Sequence, residues 1–246
     1  MLDYDREADR YDATRGGEPR AAAAADAVLG LLPESAERLL DVACGTGIVT
    51  RRLAAGRPGL RVTGADLAHE MARYAAARLP GDVVRADSRR LPFRDGTFDA
   101  VTSVWLLHLI DSPEDVRAVV NECARMLRPG GVYLTTIDKT AAHDVGSDID
   151  ALLAPRPNRP APDAADTVAE YAAACGLVPA GQAHFPGVGQ GRSPRRAAAD
   201  LQRGWFTTLA PGSPLAERIA TGLGALPEQD RPRPDPVFTL QAFRKG

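Results

Sequence analysis

The sequence predicts a doubly wound α/β domain, one largely parallel sheet with helices on both faces. Three observations point there. Short apolar runs alternate with helical stretches between residues 38 and 137, the pattern of successive βαβ units. One of those runs ends directly in a Gly-x-Gly turn that opens a helix, as ligand-binding strand ends in open sheets do. And 246 residues, 44% hydrophobic and 25% charged, suffice for one sizeable core and fit a single domain over residues 1–246.

Taken in order, the Ala-rich tract at 21–25 lies inside a helix expected over 18–31, because alanine is the best helix former. Residues 38–43 read as a strand and 48–55 as the helix after it; 60–65 is the second strand, followed by a helix over 68–79. A third strand is expected over 82–86. A fourth, over 98–106, is apolar enough to be central. Ser112-Pro113-Glu114-Asp115 is a helix start, with Ser as cap, Pro in the first turn and an acid three residues on. That helix should run to residue 127 and stop in the Arg128-Pro129-Gly130-Gly131 turn before a strand over 132–137. Beyond residue 138 prolines multiply, and 154–162 is a proline-rich loop. A helix over 163–175 and a strand over 177–185 add another unit, and 236–243 is the last strand. Between these two strands lie helical stretches at 194–204 and 214–226, a cap inserted into the sheet domain. The expected organisation is a helical lid over 1–35 and substrate-cap insertions over 139–162 and 187–234.

Bulk properties exclude several functions. A net charge of −2 and scattered Arg pairs at 51–52, 89–90 and 195–196 give no field for nucleic acid or anionic membrane. Cys44, Cys123 and Cys175 stand apart, without metal-ligand spacing, so neither a zinc site nor a disulfide framework is expected. The acidic, polar start MLDYDREADR is no secretory signal, and no apolar run reaches the length of a membrane span, so a cytoplasmic protein is expected. Lys139 and Lys245 are the only lysines among 30 basic residues.

The informative segment is Leu39-Leu40-Asp41-Val42-Ala43-Cys44-Gly45-Thr46-Gly47. Gly45 and Gly47 allow a sharp strand-to-helix turn and a close approach of ligand to backbone. Asp41, an acid before the glycines, argues against a dinucleotide, whose pyrophosphate would lie over this turn. Thr50 stands where a dinucleotide site wants a third glycine. An acid there suits a ligand with a cationic part. Asp66, at the end of the second strand, can accept both hydroxyls of a ribose; Asp87, after the third, can accept from an adenine amino group. Asp66 is a feature shared with NAD enzymes, but Asp41 and the missing third glycine disfavour an NAD(P) oxidoreductase.

At this point the chain resembles a known family. DVACGTG, GADLAHEM, RADSRRLPFRDGTFDAV and RMLRPGGVYL look like the four successive motifs of class I S-adenosylmethionine-dependent methyltransferases, within the small-molecule group related to the ubiquinone/menaquinone enzymes. The resemblance implies a Rossmann-like seven-stranded sheet of order 3-2-1-4-5-7-6 with strand 7 antiparallel. It implies S-adenosyl-L-methionine as cofactor and S-adenosyl-L-homocysteine as product. By the same resemblance Asp66 holds the ribose, Met71 packs near the adenine, and Asp87 with Ser88 meets the adenine edge. Ala43, Cys44, Leu67 and Ser103 also fall along the cofactor, and the family usually has Gly where Ala43 stands. Tyr11 and Arg15, in Tyr11-Asp12-Ala13-Thr14-Arg15, resemble the lid residues that reach the methionine end.

The implied reaction is in-line transfer of methyl to an O, N or C nucleophile of a small-molecule acceptor, secondary metabolites included. His108, just past the fourth strand, is the candidate base, since neutral histidine suits a hydroxyl or amine near pH 7; the alternative is a histidine that shapes the pocket. Trp105 and His184 are further substrate candidates. Trp205 and Phe206 either wall the substrate or form the cap's own core. A protein that keeps the cofactor pocket without transferring methyl is the other reading, and the oligomeric state is left open.

Overall fold

The computed structural model describes residues 4–155, 161–206 and 208–246. Strands β1 (Arg38–Val42), β2 (Arg61–Asp66), β3 (Val83–Arg85), β4 (Phe98–Ser103), β5 (Leu127–Ile137), β6 (Leu177–Pro186) and β7 (Val237–Lys245) form one sheet. Their order is β3-β2-β1-β4-β5-β7-β6. Strands β1 to β5 pair in parallel, and β7 runs antiparallel to both β5 and β6. This is the order and polarity the resemblance implies.

The continuous apolar runs arise because both sheet faces are covered, so alternate side chains enter opposite cores. Leu40, Val101, Tyr133 and Phe243 point into one core, beneath α5 (Pro113–Met126) and α7 (Ala165–Ala174). Their neighbours Leu39, Ala100, Leu134 and Ala242 point into the other, beneath α2 (Gly17–Leu31) and α3 (Ile48–Gly56). The alanines of α2 are buried at Ala21, Ala24 and Ala25; small side chains at helical spacing let the helix lie close on the sheet. Helix α4 (His69–Arg78) follows β2, and α1 (Tyr4–Thr14) precedes α2.

A third core joins α6 (Asp148–Leu153), α8 (Pro194–Gln202) and α9 (Pro214–Ala225) through Ile149, Leu153, Ala197, Leu201, Phe206, Ile219 and Leu223. Helices α5, α8 and α9 share one start: Ser112, Ser193 and Ser213 each accept the amide two residues past a first-turn proline, which satisfies an otherwise orphaned helical donor. Part of the expected proline-rich loop, 156–160, lies outside the described residues.

Two expected boundaries are corrected. Strand β4 stops at Ser103 rather than 106, because Trp105 takes a left-handed backbone (φ 60°) and the chain turns into a 3₁₀ helix at Leu107–Leu109. The Arg128–Gly131 turn is instead the start of β5: Leu127 already pairs with Phe98, and the extra residues form a bulge before Val132 pairs with Ala100.

Candidate active site

A cavity of about 730 Å³ opens at the carboxyl ends of β1, β2 and β4, where open α/β sheets bind ligands. The β1–α3 turn forms its floor. Ala43, Gly45 and Gly47 all have left-handed backbone, with φ of 58°, 58° and 76°. Gly45 faces open space, whereas a Cβ on Gly47 would lie 2.9 Å from Ala75 Cα. Gly45 therefore admits a ligand, and Gly47 lets α3 pack on α4 without itself lining the cavity.

Three carboxylates converge on this space. Asp41 is 3% exposed, and its Oδ2 accepts the Thr50 hydroxyl at 2.6 Å. Burial pushes its pKa up to about 7, against the Thr50 hydrogen bond and with help from the charge of Asp66. Asp66 is fixed by two backbone amides, Gly45 N–H to Oδ2 (2.8 Å) and Ala68 N–H to Oδ1 (2.9 Å); burial raises its pKa. Asp87 is held by Arg89, whose guanidinium reaches both carboxylate oxygens and also Asp115. A carboxylate has about four acceptor sites, so Asp66 and Asp87 are both oriented and still able to accept more.

Around them the cavity is lined by Ala43, Cys44, Leu67, Met71 and Ser88, the residues that the resemblance implies lie along the cofactor. Met71 is buried and Leu67 is 58% exposed, an apolar pair at the Asp66–Asp87 end. Burial holds the Cys44 thiol well above its ordinary pKa, which leaves it neutral. Tyr11 and Arg15 line the opposite side with Tyr4 and Asp12.

Several candidates sit elsewhere. Ser103 is fully buried beneath the floor, bonded to Tyr133 OH (2.7 Å) and Thr135 Oγ1 (2.9 Å). His184 is exposed on edge strand β6 and pairs with Thr239. Phe206 belongs to the core of the cap; Trp205 lies under the Arg15 guanidinium, 4.0 Å from its ring centre. His108, in the 3₁₀ turn, is set behind the cavity wall rather than on it. Burial, then the nearby Lys139 charge, keeps its pKa well below the usual imidazole value. Trp105 does line the cavity; its strained backbone is held by its N–H donating to Thr136 Oγ1 (2.8 Å) and by ring contacts with Phe185 and Phe238.

Sequence reasoning missed Asp12 and Arg20. Asp12 accepts from Thr46 Oγ1 and from Arg78, both at 2.6 Å, and so ties α1 to the glycine turn. It stands inside the lid motif, but its partners are 34 and 66 residues away in sequence. Arg20 is hidden in an alanine tract that reads as plain helix. Among the described residues no His, Cys, Asp and Glu group could hold a metal ion, and no helix is long and apolar enough to cross a membrane.

The left-handed turn open at Gly45, the unspent acceptors of Asp66 and Asp87, and buried Asp41 fit a cationic nucleoside cofactor. Comparisons with known proteins agree. Residues 40–135 match the methyltransferase domain family. The chain is 35% identical over 142 residues to a ubiquinone biosynthesis O-methyltransferase of Xanthomonas oryzae pv. oryzae, covering 53% of this chain and 57% of that protein. It is 41% identical over 103 residues to a demethylmenaquinone methyltransferase of Clavibacter sepedonicus, covering 40% of each. The chain thus matches about half the length of these relatives. In fold it is similar to the 4+2 cyclase SpnF (TM-score 0.62, 20% identity, 98% of this chain and 93% of that one). It is also similar to a SAM-dependent methyltransferase of Thermotoga maritima (TM-score 0.59, 16% identity, 99% and 98%). Sheet order, motif order and the matched domain together make this chain similar, through residues 40–135, to the class I S-adenosylmethionine-dependent methyltransferases.

Proposed function

We propose that the chain transfers a methyl group from S-adenosylmethionine to an O, N or C nucleophile of a small molecule. The observation that carries this reading is the convergence of Asp41, Asp66 and Asp87, from three neighbouring strand ends, on one cavity that continues past them to Trp105. The name of the matched Xanthomonas relative, an O-methyltransferase, favours oxygen among the nucleophiles.

When bound, the cofactor supplies a methyl group activated by its sulfonium. The chain's residues bind, orient and exclude water. Asp66, pre-aligned by two amides, takes the ribose hydroxyls, and Asp87 with Ser88 meets the adenine edge. Asp41 acts on the ammonium end rather than at sulfur, because an anion there would favour the charged ground state over the transition state. Helix α1, latched through Asp12, closes over the methionine end with Tyr11 and Arg15. Trp105 walls the acceptor side. His108, neutral and set back, positions this wall rather than removing a proton.

The test is thermal. S-adenosylhomocysteine should raise the melting temperature and NAD or NADP should not, since only native-state binding stabilises. Asp66→Ala should weaken binding by about 2–3 kcal/mol, as expected for hydrogen bonds to a charged acceptor. A shift with NAD(P) alone would overturn the cofactor assignment. Binding of S-adenosylhomocysteine without labelled methyl reaching any acceptor would favour a protein that keeps the pocket without methyl transfer.

A further inference from the structure

The cavity is electrically divided. Asp41, Asp66 and Asp87 line one part of it, while Arg20 lines another beside Trp105, with Arg15 between in the lid. Arg20 is 7% exposed, yet among the described residues neither it, Arg15 nor Lys139 forms an ion pair. The Arg20 guanidinium lies 3.5 Å from the centre of the Trp105 ring and donates one N–H to the Arg15 carbonyl (2.9 Å); it also meets the Tyr11 phenol. A buried charge without an anion is costly.

Unpartnered donors stand at the same place. Arg20 Nε and Trp105 Nε1, on two residues that line this cavity, are buried without a hydrogen-bond partner, as is the Nδ1 of His108. Most buried polar atoms in folded proteins are paired, so such a group points to a missing ligand or water. Further cations stand behind. Burial and the Arg20, Arg15 and Arg192 charges lower the pKa of Lys139 to about 7, and burial with Lys139 holds His143 at about 2. Two carboxylates, Asp163 and Asp200, lie within electrostatic reach, and burial raises the pKa of both. Asp163 Oδ2 accepts the Lys139 backbone amide (2.9 Å) while its Oδ1 is unpartnered.

The cofactor cannot balance this charge. In the proposed reading its single carboxylate is met by Arg15 in the lid, and its ammonium and sulfonium make it cationic overall. We propose that Arg20 and Trp105, backed by Lys139 and His108, form an anion subsite, and that the methyl acceptor is a small molecule bearing a carboxylate. A planar carboxylate can take an Arg N–H and an indole N–H together, with its hydrocarbon part against Trp105 and the Phe185–Phe238 pair behind it.

This inference rests on the methyltransferase reading, and the test separates the two. Protein loaded with S-adenosylhomocysteine is titrated calorimetrically with benzoate and with benzamide, probes alike in shape and different in charge. Benzoate should bind about tenfold or more tighter. Arg20→Gln and Trp105→Phe should each cut that preference several-fold while the melting shift given by S-adenosylhomocysteine persists, which also shows that the variants are folded. Equal binding of the two probes, absence of benzoate binding, or an unchanged preference in both variants would overturn the subsite. So would a parallel loss of S-adenosylhomocysteine affinity in Arg20→Gln, which would assign Arg20 to the cofactor's own carboxylate. If S-adenosylhomocysteine fails to bind the wild type, the methyltransferase reading falls, and the same titration of unloaded protein still decides the anion subsite.

Discussion

Ala43 occupies a backbone that suits glycine. Its φ of 58° brings Cβ against a carbonyl oxygen, a strain of about 1–2 kcal/mol for a non-glycine residue. Glycine relieves that strain but has more unfolded-state entropy to lose. Ala43→Gly should therefore stabilise the fold by about 0.5–1 kcal/mol, visible as a small rise in melting temperature. Asp41 makes a pH prediction. Its folded pKa of about 7 exceeds an unfolded value near 3.9, so the folded state binds the extra proton. The associated stability is present in full below about pH 4 and is lost as pH rises to about 7. An ammonium beside Asp41 favours the ionised form. Affinity for S-adenosylhomocysteine should rise with pH up to about 7, by at most about tenfold per unit, and Asp41→Asn should flatten the dependence in calorimetric titrations. His108→Gln, once an acceptor is found, should retain most turnover and the wild-type pH profile, in contrast to the loss of about 10² or more that removal of a general base causes.

At the scale of elements, α1 is a helix that cannot hold itself. Its 11 residues bury Ala8 alone, and a helix this short is marginal in water. What docks it is polar: Asp12 to Thr46 and Arg78, and Asp5 Oδ1 accepting the Glu70 amide at the start of α4 (2.8 Å). The Asp12–Arg78 pair is only partly exposed, at 23% and 28%. Asp12→Ala should weaken the lid by about 1–2 kcal/mol. Hydrogen exchange should then speed up over Tyr4–Thr14, and S-adenosylhomocysteine should dissociate faster, with the sheet unaffected. Unchanged exchange in α1 would show that the lid is held by something else.

At the scale of the molecule, the sheet domain and the cap have separate cores. The cap is closed on itself by Arg233, which is bidentate to Asp148 (2.6 and 2.7 Å) and also donates to the carbonyls of Pro227 and Arg231. The arrangement predicts that the two halves fail independently. Arg233→Ala should loosen α6 and the segment that follows α9, seen as faster proteolysis there. It should lower turnover of an acceptor while cofactor affinity stays near the wild-type value, because Asp41, Asp66 and Asp87, the proposed cofactor contacts, lie wholly on β1, β2 and the turn after β3.

What the sequence by itself determined is the part of the molecule where local rules and function coincide. Alternating apolar runs, the Ser-Pro helix starts and the Gly-x-Gly turn are each written within a few residues, so the parallel strands and the acids at their ends were legible. Asp41, Asp66 and Asp87 could be named because each stands at the end of its own strand. The tertiary structure decided what depends on distant partners. Trp105 ends β4 because Thr136 and the β6–β7 aromatics hold a strained backbone, and no local signal announces that. Ser103 is lost to the core because Tyr133 and Thr135 face it from the next strand. Arg20 acquires its meaning only when folding stacks it on Trp105 and sets Lys139 behind it. Periodicity reports which side chains are buried, but which charges meet is fixed by long-range packing, and that is where the Arg20–Trp105 part of the cavity is made.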